Sequence, residues 1–265
     1  MNNIGISLVI SFYKRIDFLY LIFLSLEKQS NKNFEVIIAE DADDIKTIAF
    51  LEKARQKFSF SIIHLSQKDE GFQKNKMLNK AIIAAKNENI VFIDGDCVLH
   101  KHFIKEYALQ LKPNTALCGR KSELSEKLTN KLIINQSLSK LSLLSMVLYK
   151  CYRIEDAFYF PFILCRFKKN KGMIGCNWGT QKKLLLQVNG YDENYKMPCV
   201  GEDVDIEWRL KQIGVNFKSI ENQAIVYHLY HKANYKENAY KENMKILQKT
   251  KENNQFYAIN GIIKK

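Results

Sequence analysis

Asp94-Gly95-Asp96 closes an apolar run, Ile90–Ile93. On extended backbone, side chains two apart point the same way, so both carboxylates can converge on one divalent cation, and a glycine between them lets the backbone approach a ligand closely. A second acidic cluster, Gly201-Glu202-Asp203-Val204-Asp205, opens a helical stretch that runs through Trp208, Leu210 and Ile213 to Gly214. Acids in a first helical turn cap amides and complement the helix dipole. That role accounts for one or two of the three acids, and leaves a carboxylate on a rigid element that could serve as a general base facing a metal site. His228, which follows the strand-like Ala224–Tyr227, and His231 supply imidazoles. A lone histidine beside an apolar strand is usually structural. Beside two Asp it completes a set suited to Mn2+ or Mg2+, and His228 is the expected ligand because it ends the strand.

These groups need rigid elements to hold them. Ile4–Phe12, Phe34–Ala39, Phe60–Leu65 and Ile90–Ile93 read as buried strands, and Ile16–Gln29, Ile45–Lys57 and Phe72–Lys86 as the helices between them. Strand–helix alternation of this kind predicts an α/β fold with a mostly parallel sheet covered on both faces, and ligands in such sheets bind beyond the carboxyl ends of the strands. Two strands end in acids there, at Glu40-Asp41 and at Asp94. No GxGxxG follows the first strand and no GxxxxGK[ST] occurs, so a dinucleotide oxidoreductase and a P-loop enzyme are disfavoured. A metal is then the expected partner for phosphates.

From Ser122 to Lys171 the pattern changes. Two uncharged runs, Leu141–Tyr149 and Ala157–Cys165, are flanked by Lys140, Lys150, Arg153, Arg166, Lys168 and Lys169. Each is too short to span a bilayer; each fits either an interfacial segment on anionic lipid or a helical excursion packed on the core. The chain returns to short strands and helices after Gly172 and ends in a charged helix near Ala233–Lys251, read as a solvated face.

Among 265 residues, 46% are hydrophobic and 12% aromatic, enough for a substantial core, which excludes disordered and fibrous classes. The 41 Lys+Arg against 28 Asp+Glu leave +13, pointing to an anionic partner: nucleic acid, a membrane surface or a phosphorylated small molecule. No nucleic-acid-binding motif appears and the aromatics sit in apolar runs, so nucleic acid is not the expected partner. The six cysteines are scattered without a CxxC pair, as expected of reduced thiols in a cytoplasmic protein, and Met1–Ser7 lacks the marks of a secretory signal.

The order of these features resembles the family 2 glycosyltransferases of the GT-A fold. Ile6-Ser-Leu-Val-Ile-Ser-Phe-Tyr-Lys-Arg15 is similar to the family's opening strand and Tyr-x-Arg turn. Phe34–Asp41 resembles its second strand, Asn79 the Asn of the helix before the metal motif, and Ile93-Asp-Gly-Asp-Cys97 its DxD segment. Gly175-Cys-Asn-Trp178, Val188-Asn-Gly-Tyr-Asp-Glu193 and Gly201–Asp205 resemble the acceptor side of chondroitin-polymerase-like and galactosyltransferase-like members. Ser11-Phe12 stands where the family usually has Pro-Thr, Leu78 where many members have Arg, and Pro198-Cys-Val200 in place of a Gly-Trp-Gly-like approach.

The resemblance implies a single GT-A domain over 1–265, a Rossmann-like mixed sheet with helices on both faces. Its nucleotide-sugar-binding half is 1–121 and its acceptor and catalytic-base half 172–265, with 122–171 a helical insertion that either faces a membrane or packs on the core. It implies an inverting, metal-dependent transfer of a hexose or N-acetylhexosamine from a UDP-sugar to a glycan or lipid-linked glycan of bacterial surface polysaccharide, in the cytoplasm or on the inner face of the cytoplasmic membrane. The donor would meet Ser11, Tyr13, Arg15, Glu40, Asp41, Lys76, Asn79, Asp94, Gly95 and Asp96. Asp96, His228 and Asp94 would hold Mn2+ or Mg2+, Asn177, Trp178 and Glu202 would bind the acceptor, and Asp203 would be the base. A catalytically silent glycan-binding relative is the alternative.

Overall fold

A computed structural model describes residues 5–161, 172–198, 201–232 and 237–264. The first half alternates as the sequence predicts: β1 (Ile6–Phe12), α1 (Ile16–Glu27), β2 (Phe34–Glu40), α2 (Ile45–Lys57), β3 (Ser61–Leu65), α3 (Lys74–Ala84) and β4 (Asn89–Asp94). Then come β5 (Cys97–Leu99), α4 (Phe103–Gln110), β6 (Thr115–Cys118), β7 (Arg120–Glu123), α5 (Glu126–Ile134) and α6 (Leu143–Leu148). The last part holds β8 (Trp178–Gln181), α7 (Lys182–Gln187), α8 (Glu202–Gln212), β9 (Asn216–Ser219), β10 (Ile225–His228) and α9 (Glu237–Glu252).

The main sheet has seven strands in the order β3-β2-β1-β4-β8-β6-β9. β3, β2, β1 and β4 are mutually parallel, whereas β8 runs antiparallel to both β4 and β6, making the sheet mixed. Because successive side chains enter opposite cores, the middles of these strands are apolar on both faces, with polar residues only toward their ends. Leu8, Ile10, Val36, Ile38, Val91 and Ile93 enter the core on one face, and Val9, Ile37, Ile90 and Phe92 the core on the other. A three-stranded sheet, β5-β10-β7, lies beside it.

This order sets the carboxyl ends of β1, β2 and β4 side by side. Ser11 lies opposite Ala39 on one side and Asp94 on the other, and the Asp41 amide donates to the Phe12 carbonyl at 2.9 Å. Strand order reverses about β1, the switch point at which a crevice opens in sheets of this kind.

The structure departs from the sequence expectation in two places. α9 is not a solvated face: it buries Ala239, Asn243, Leu247 and Thr250 and packs on α8. The run Leu141–Tyr149 yields only the short α6, and Ala157–Cys165 begins in a 3-10 turn, Ile154–Ala157, with its part beyond 161 outside the described residues. Cys97, Cys118, Cys151 and Cys176 are free and buried; Cys165 and Cys199 lie outside the described residues. Among the described residues no helix is long and apolar enough to cross a membrane.

Candidate functional site

A cavity of about 880 Å3 opens at the carboxyl ends of β1, β2 and β4. Ser11, Tyr13, Arg15, Asp41, Asp94 and Asp96 all line it. Asp41 is held in place, one oxygen accepting from Gln67 Nε2 and the other from the Gln73 amide, each at 2.7 Å. Tyr13 donates its hydroxyl to Asp69 at 3.1 Å, and the Arg15 guanidinium lies 3.5 Å over the Phe18 ring while pairing with Asp17. Gly95 also lines the cavity; a Cβ there would come within 2.9 Å of the Ser11 carbonyl, so only glycine lets β4 leave its sheet beside β1.

Asp94 and Asp96 do not converge. β4 ends at Asp94 and the chain turns before β5 begins at Cys97, so the extended backbone on which the sequence argument relied stops one residue short. Asp94 turns to Lys74, whose Nζ is 2.9 Å from its Oδ1. Asp96 turns to the histidines: its Oδ2 lies 3.3 Å from His228 Nε2 and 3.1 Å from His231 Nε2. Antiparallel pairing of β10 with β5 places His228 opposite Cys97, next to Asp96. The Leu229 amide donates to the Asp96 carbonyl at 2.8 Å, which brings His231 back to the same carboxylate.

One ligand atom from each of Asp96, His228 and His231 lies within 4.8 Å of the others. One carboxylate and two imidazoles can hold a divalent cation, and suit Mn2+ better than Mg2+, which prefers oxygen ligands; the ion would replace the protons shared between each Nε2 and the carboxylate. Burial pushes the Asp96 carboxyl up, but hydrogen bonds from both histidines outweigh it and hold the group well below the usual carboxylate range. The same hydrogen bond raises His231, against the opposing effect of its partial burial.

A narrow cleft of about 10 Å3, room for a single hydroxyl or water, adjoins the cavity and shares Ser11, Lys74 and Asp94 with it; its far wall carries Gly175, Glu202 and Asp203. Asp203 Oδ2 accepts from the Gly175 amide at 3.0 Å, and Oδ1 from the Val204 amide in its own helix, also at 3.0 Å. Glu202 is buried, with Oε1 3.8 Å from Lys74 Nζ and Oε2 without a hydrogen-bond partner. Burial pushes its carboxyl up to about 7, Lys74 works against that, and the charges of Asp203 and Asp94 add to it. Burial alone would lower Lys74, but Asp94 and Glu202 hold its ammonium well above the ordinary lysine value.

The third acid of the cluster has another task. Asp205 forms a buried ion pair with Arg209, whose Nη1 donates to the Val188 and Gly190 carbonyls at 3.0 and 2.8 Å. This anchors the Val188–Glu193 turn to α8. Asn79 fixes the turn from the other side, donating Nδ2 to the Tyr191 carbonyl and Glu193 Oε1 and accepting from the Tyr191 amide. Gly190 sits in the left-handed region, φ +70°, and a Cβ on it would overlap Asn79 Oδ1, so the asparagine and the glycine form one joint.

Several expected contacts are therefore structural. Asn79 spends its amide on that turn and does not line the cavity. Lys76 reaches Gln73 Oε1 at 3.4 Å, and Lys74, two residues earlier and so on nearly the opposite side of α3, is the lysine in the site. Glu40 ends β2 facing away from the cavity, buried against His64 Nε2 at 2.7 Å. Asn177 is fully buried between the two sheets, donating to the Arg120 and Ala224 carbonyls and accepting from the Tyr107 hydroxyl. Trp178 is the first residue of β8, between β4 and β6, and its buried indole stacks on Phe92 at 4.8 Å. Neither residue can reach an acceptor from there.

The model of the family described as glycosyl transferase family 2 matches residues 7–188. Chondroitin synthase of Pasteurella multocida (strain Pm70) is 26% identical over 243 residues, covering 86% of this chain and 25% of that protein. The chain thus spans about a quarter of that relative's length. Among solved structures, residues 1–349 of Staphylococcus aureus TarS in complex with UDP superpose with a TM-score of 0.60 at 17% identity, over 92% of this chain and 64% of that one. The mannosyltransferase PcManGT from Pyrobaculum calidifontis, in complex with GDP-Man and Mn2+, gives 0.59 at 14% identity, over 90% and 60%. At these identities the two structures establish the fold, that of the GT-A glycosyltransferases.

Proposed function

The chain belongs to glycosyl transferase family 2, and from that premise we propose that it transfers a hexose or N-acetylhexosamine from a UDP-sugar, with inversion, to a hydroxyl of a glycan or lipid-linked glycan in bacterial surface polysaccharide synthesis. The observation that carries the reading is the wall shared by two compartments. Asp94 and Lys74 border both the large cavity, with its Asp96–His228–His231 group at the rim, and the cleft that holds Asp203. A donor in the cavity would present its anomeric carbon at that wall, and an acceptor hydroxyl in the cleft would attack from the other side.

The roles follow from position. Asp41, fixed by Gln67 and Gln73, faces the base of the nucleotide from the floor of the cavity. Asp94 and Lys74 face the ribose and diphosphate, and Lys74 supplies the positive charge that Leu78 cannot. Asp96, His228 and His231 would hold Mn2+ or Mg2+, which supplies Lewis-acid stabilisation of the departing diphosphate. Asp203, oriented by two amides, accepts the proton of the attacking hydroxyl, and a single displacement needs only this one base. Glu202, beside it, contacts the acceptor. The UDP in the TarS complex and the Mn2+ in the PcManGT complex support the donor and ion classes, and the chondroitin synthase likeness supports a polysaccharide product. A cytoplasmic enzyme seated on the inner face of the membrane would meet lipid-linked acceptors directly.

The test is a screen of UDP-linked hexoses, N-acetylhexosamines and uronic acids, with GDP-mannose as contrast, for transfer to glycan fragments in Mn2+. Turnover with one UDP-sugar is expected. Turnover with GDP-mannose alone would overturn the donor assignment, and inversion is read from the anomeric configuration of the product.

A further inference from the structure

Helix α6 is the wrong way round for water. Of its six residues, Leu143-Leu-Ser-Met-Val-Leu148, only Met146 is buried, while Leu144, Val147 and Leu148 are 70%, 59% and 69% exposed and Leu143 is exposed beside them. A surface helix normally turns its aliphatic stripe inward. Four aliphatic side chains on the outside of so short a helix mark a surface built to be covered. Exposed Ile134 at the end of α5 and Tyr152 just after α6 belong to the same excursion.

Charge identifies the occupant. Acids flank the excursion at Glu123, Glu126, Glu155 and Asp156, and Asp156 pairs with Arg153, but between Lys127 and Lys150, the stretch that holds α6, the chain carries Lys127, Lys131, Lys140 and Lys150 and no Asp or Glu. Lys127, Lys140 and Lys150 are exposed. A second copy of this chain, at +13 overall, would bring like charge against the same patch. An anionic lipid surface matches both features, taking aliphatic tips into the interface and lysines onto its headgroups.

We infer that α6 is the element by which this chain docks on an anionic bilayer. The inference extends the inner-membrane location proposed above to a specific surface. Its geometry gives the docking a use. The excursion leaves β7 at Glu123, which pairs with His228 in register, and returns to bridge Glu123 at Tyr152. Thr129 Oγ1 in α5 accepts from the Tyr230 amide at 2.9 Å, midway between the two histidines. An α6 seated on lipid therefore holds the His228–His231 turn at a set height above the bilayer.

Co-sedimentation of the full chain with phosphatidylcholine vesicles, with and without phosphatidylglycerol, tests this without donor or acceptor. Wild type is expected to bind the anionic vesicles about tenfold or more tightly than the neutral ones. Leu144→Ser/Leu148→Ser and Lys140→Glu/Lys150→Glu should each weaken that binding about tenfold or more, with thermal melts unchanged because all four side chains are exposed. Ile45→Ser, at an exposed apolar residue of α2, should bind as wild type does. Absence of vesicle binding by wild type, binding unchanged by the leucine pair, or a wild-type dimer that the leucine pair dissociates would each overturn the inference. Vesicle binding by a chain that transfers no sugar would uphold it while removing the enzymatic reading.

Discussion

Glu202→Gln isolates the most unusual electrostatic feature of the cleft. Burial holds the Glu202 carboxyl up at about 7 in the folded chain, against 4.5 for the ordinary group. An acid whose folded value is raised contributes stability that is fully present below its unfolded value and is lost as pH rises through the folded one. At about 1.4 kcal/mol for each tenfold change in proton affinity, the gap of about 2.5 between these values is worth about 3 kcal/mol. Nearly all of that loss falls between pH 4.5 and pH 8. Glutamine keeps the shape and cannot ionise, so the variant should unfold with wild-type stability, within about 1 kcal/mol, near pH 4.5, and should be about 3 kcal/mol more stable than wild type at pH 8. Urea denaturation of both proteins across that range reads the difference directly, because Lys74, the cation paired with Glu202, stays protonated throughout it. Parallel stability curves would show that Glu202 ionises as freely folded as unfolded, and the account of a desolvated acceptor-side carboxyl would fail.

Other outcomes follow from the same geometry. Asp203→Asn should lower kcat for transfer by about 10²–10⁴-fold while UDP affinity, read by calorimetry, stays within about threefold. His231→Ala and His228→Ala should each weaken Mn2+ binding by about tenfold or more, and wild-type Mn2+ affinity should fall by at least about tenfold per pH unit below the raised titration of His231, because a cation binds only neutral imidazole and both histidines are ligands. Trp178→Ala should cost about 3–5 kcal/mol in chemical denaturation, as loss of a buried ring stacked on Phe92 does, and should show no selective rise in acceptor KM.

Much of this fold is legible in the sequence because both cores need unbroken apolar strands: β1, β2 and β4 announce themselves, and their ends mark where Asp41 and Asp94 must lie. Asp203 is legible from its place at the start of α8. What sequence spacing does not carry is side-chain direction after a strand stops. The turn at Gly95-Asp96 sends Asp94 and Asp96 to different partners, and a two-residue spacing alone cannot reveal that. Lys74 and Lys76 look alike along α3, and only the fold shows that Lys74 meets Asp94. Asn177 and Trp178 mislead for the opposite reason: Asn177, buried between the two sheets, satisfies backbone carbonyls, and Trp178, on a core face of β8, packs on Phe92. His231 lies beyond the strand that carries His228, yet the Leu229–Asp96 backbone contact returns it to the same carboxylate.

The most direct measurement of the central claim is UDP release from the donor that the screen identifies, followed in Mn2+ and in EDTA for wild type beside Asp96→Ala. Wild type should release UDP only with the ion, and Asp96→Ala should be inactive in both conditions. Release that EDTA leaves untouched, or that survives Asp96→Ala, would contradict a reaction built on the Asp96–His228–His231 group.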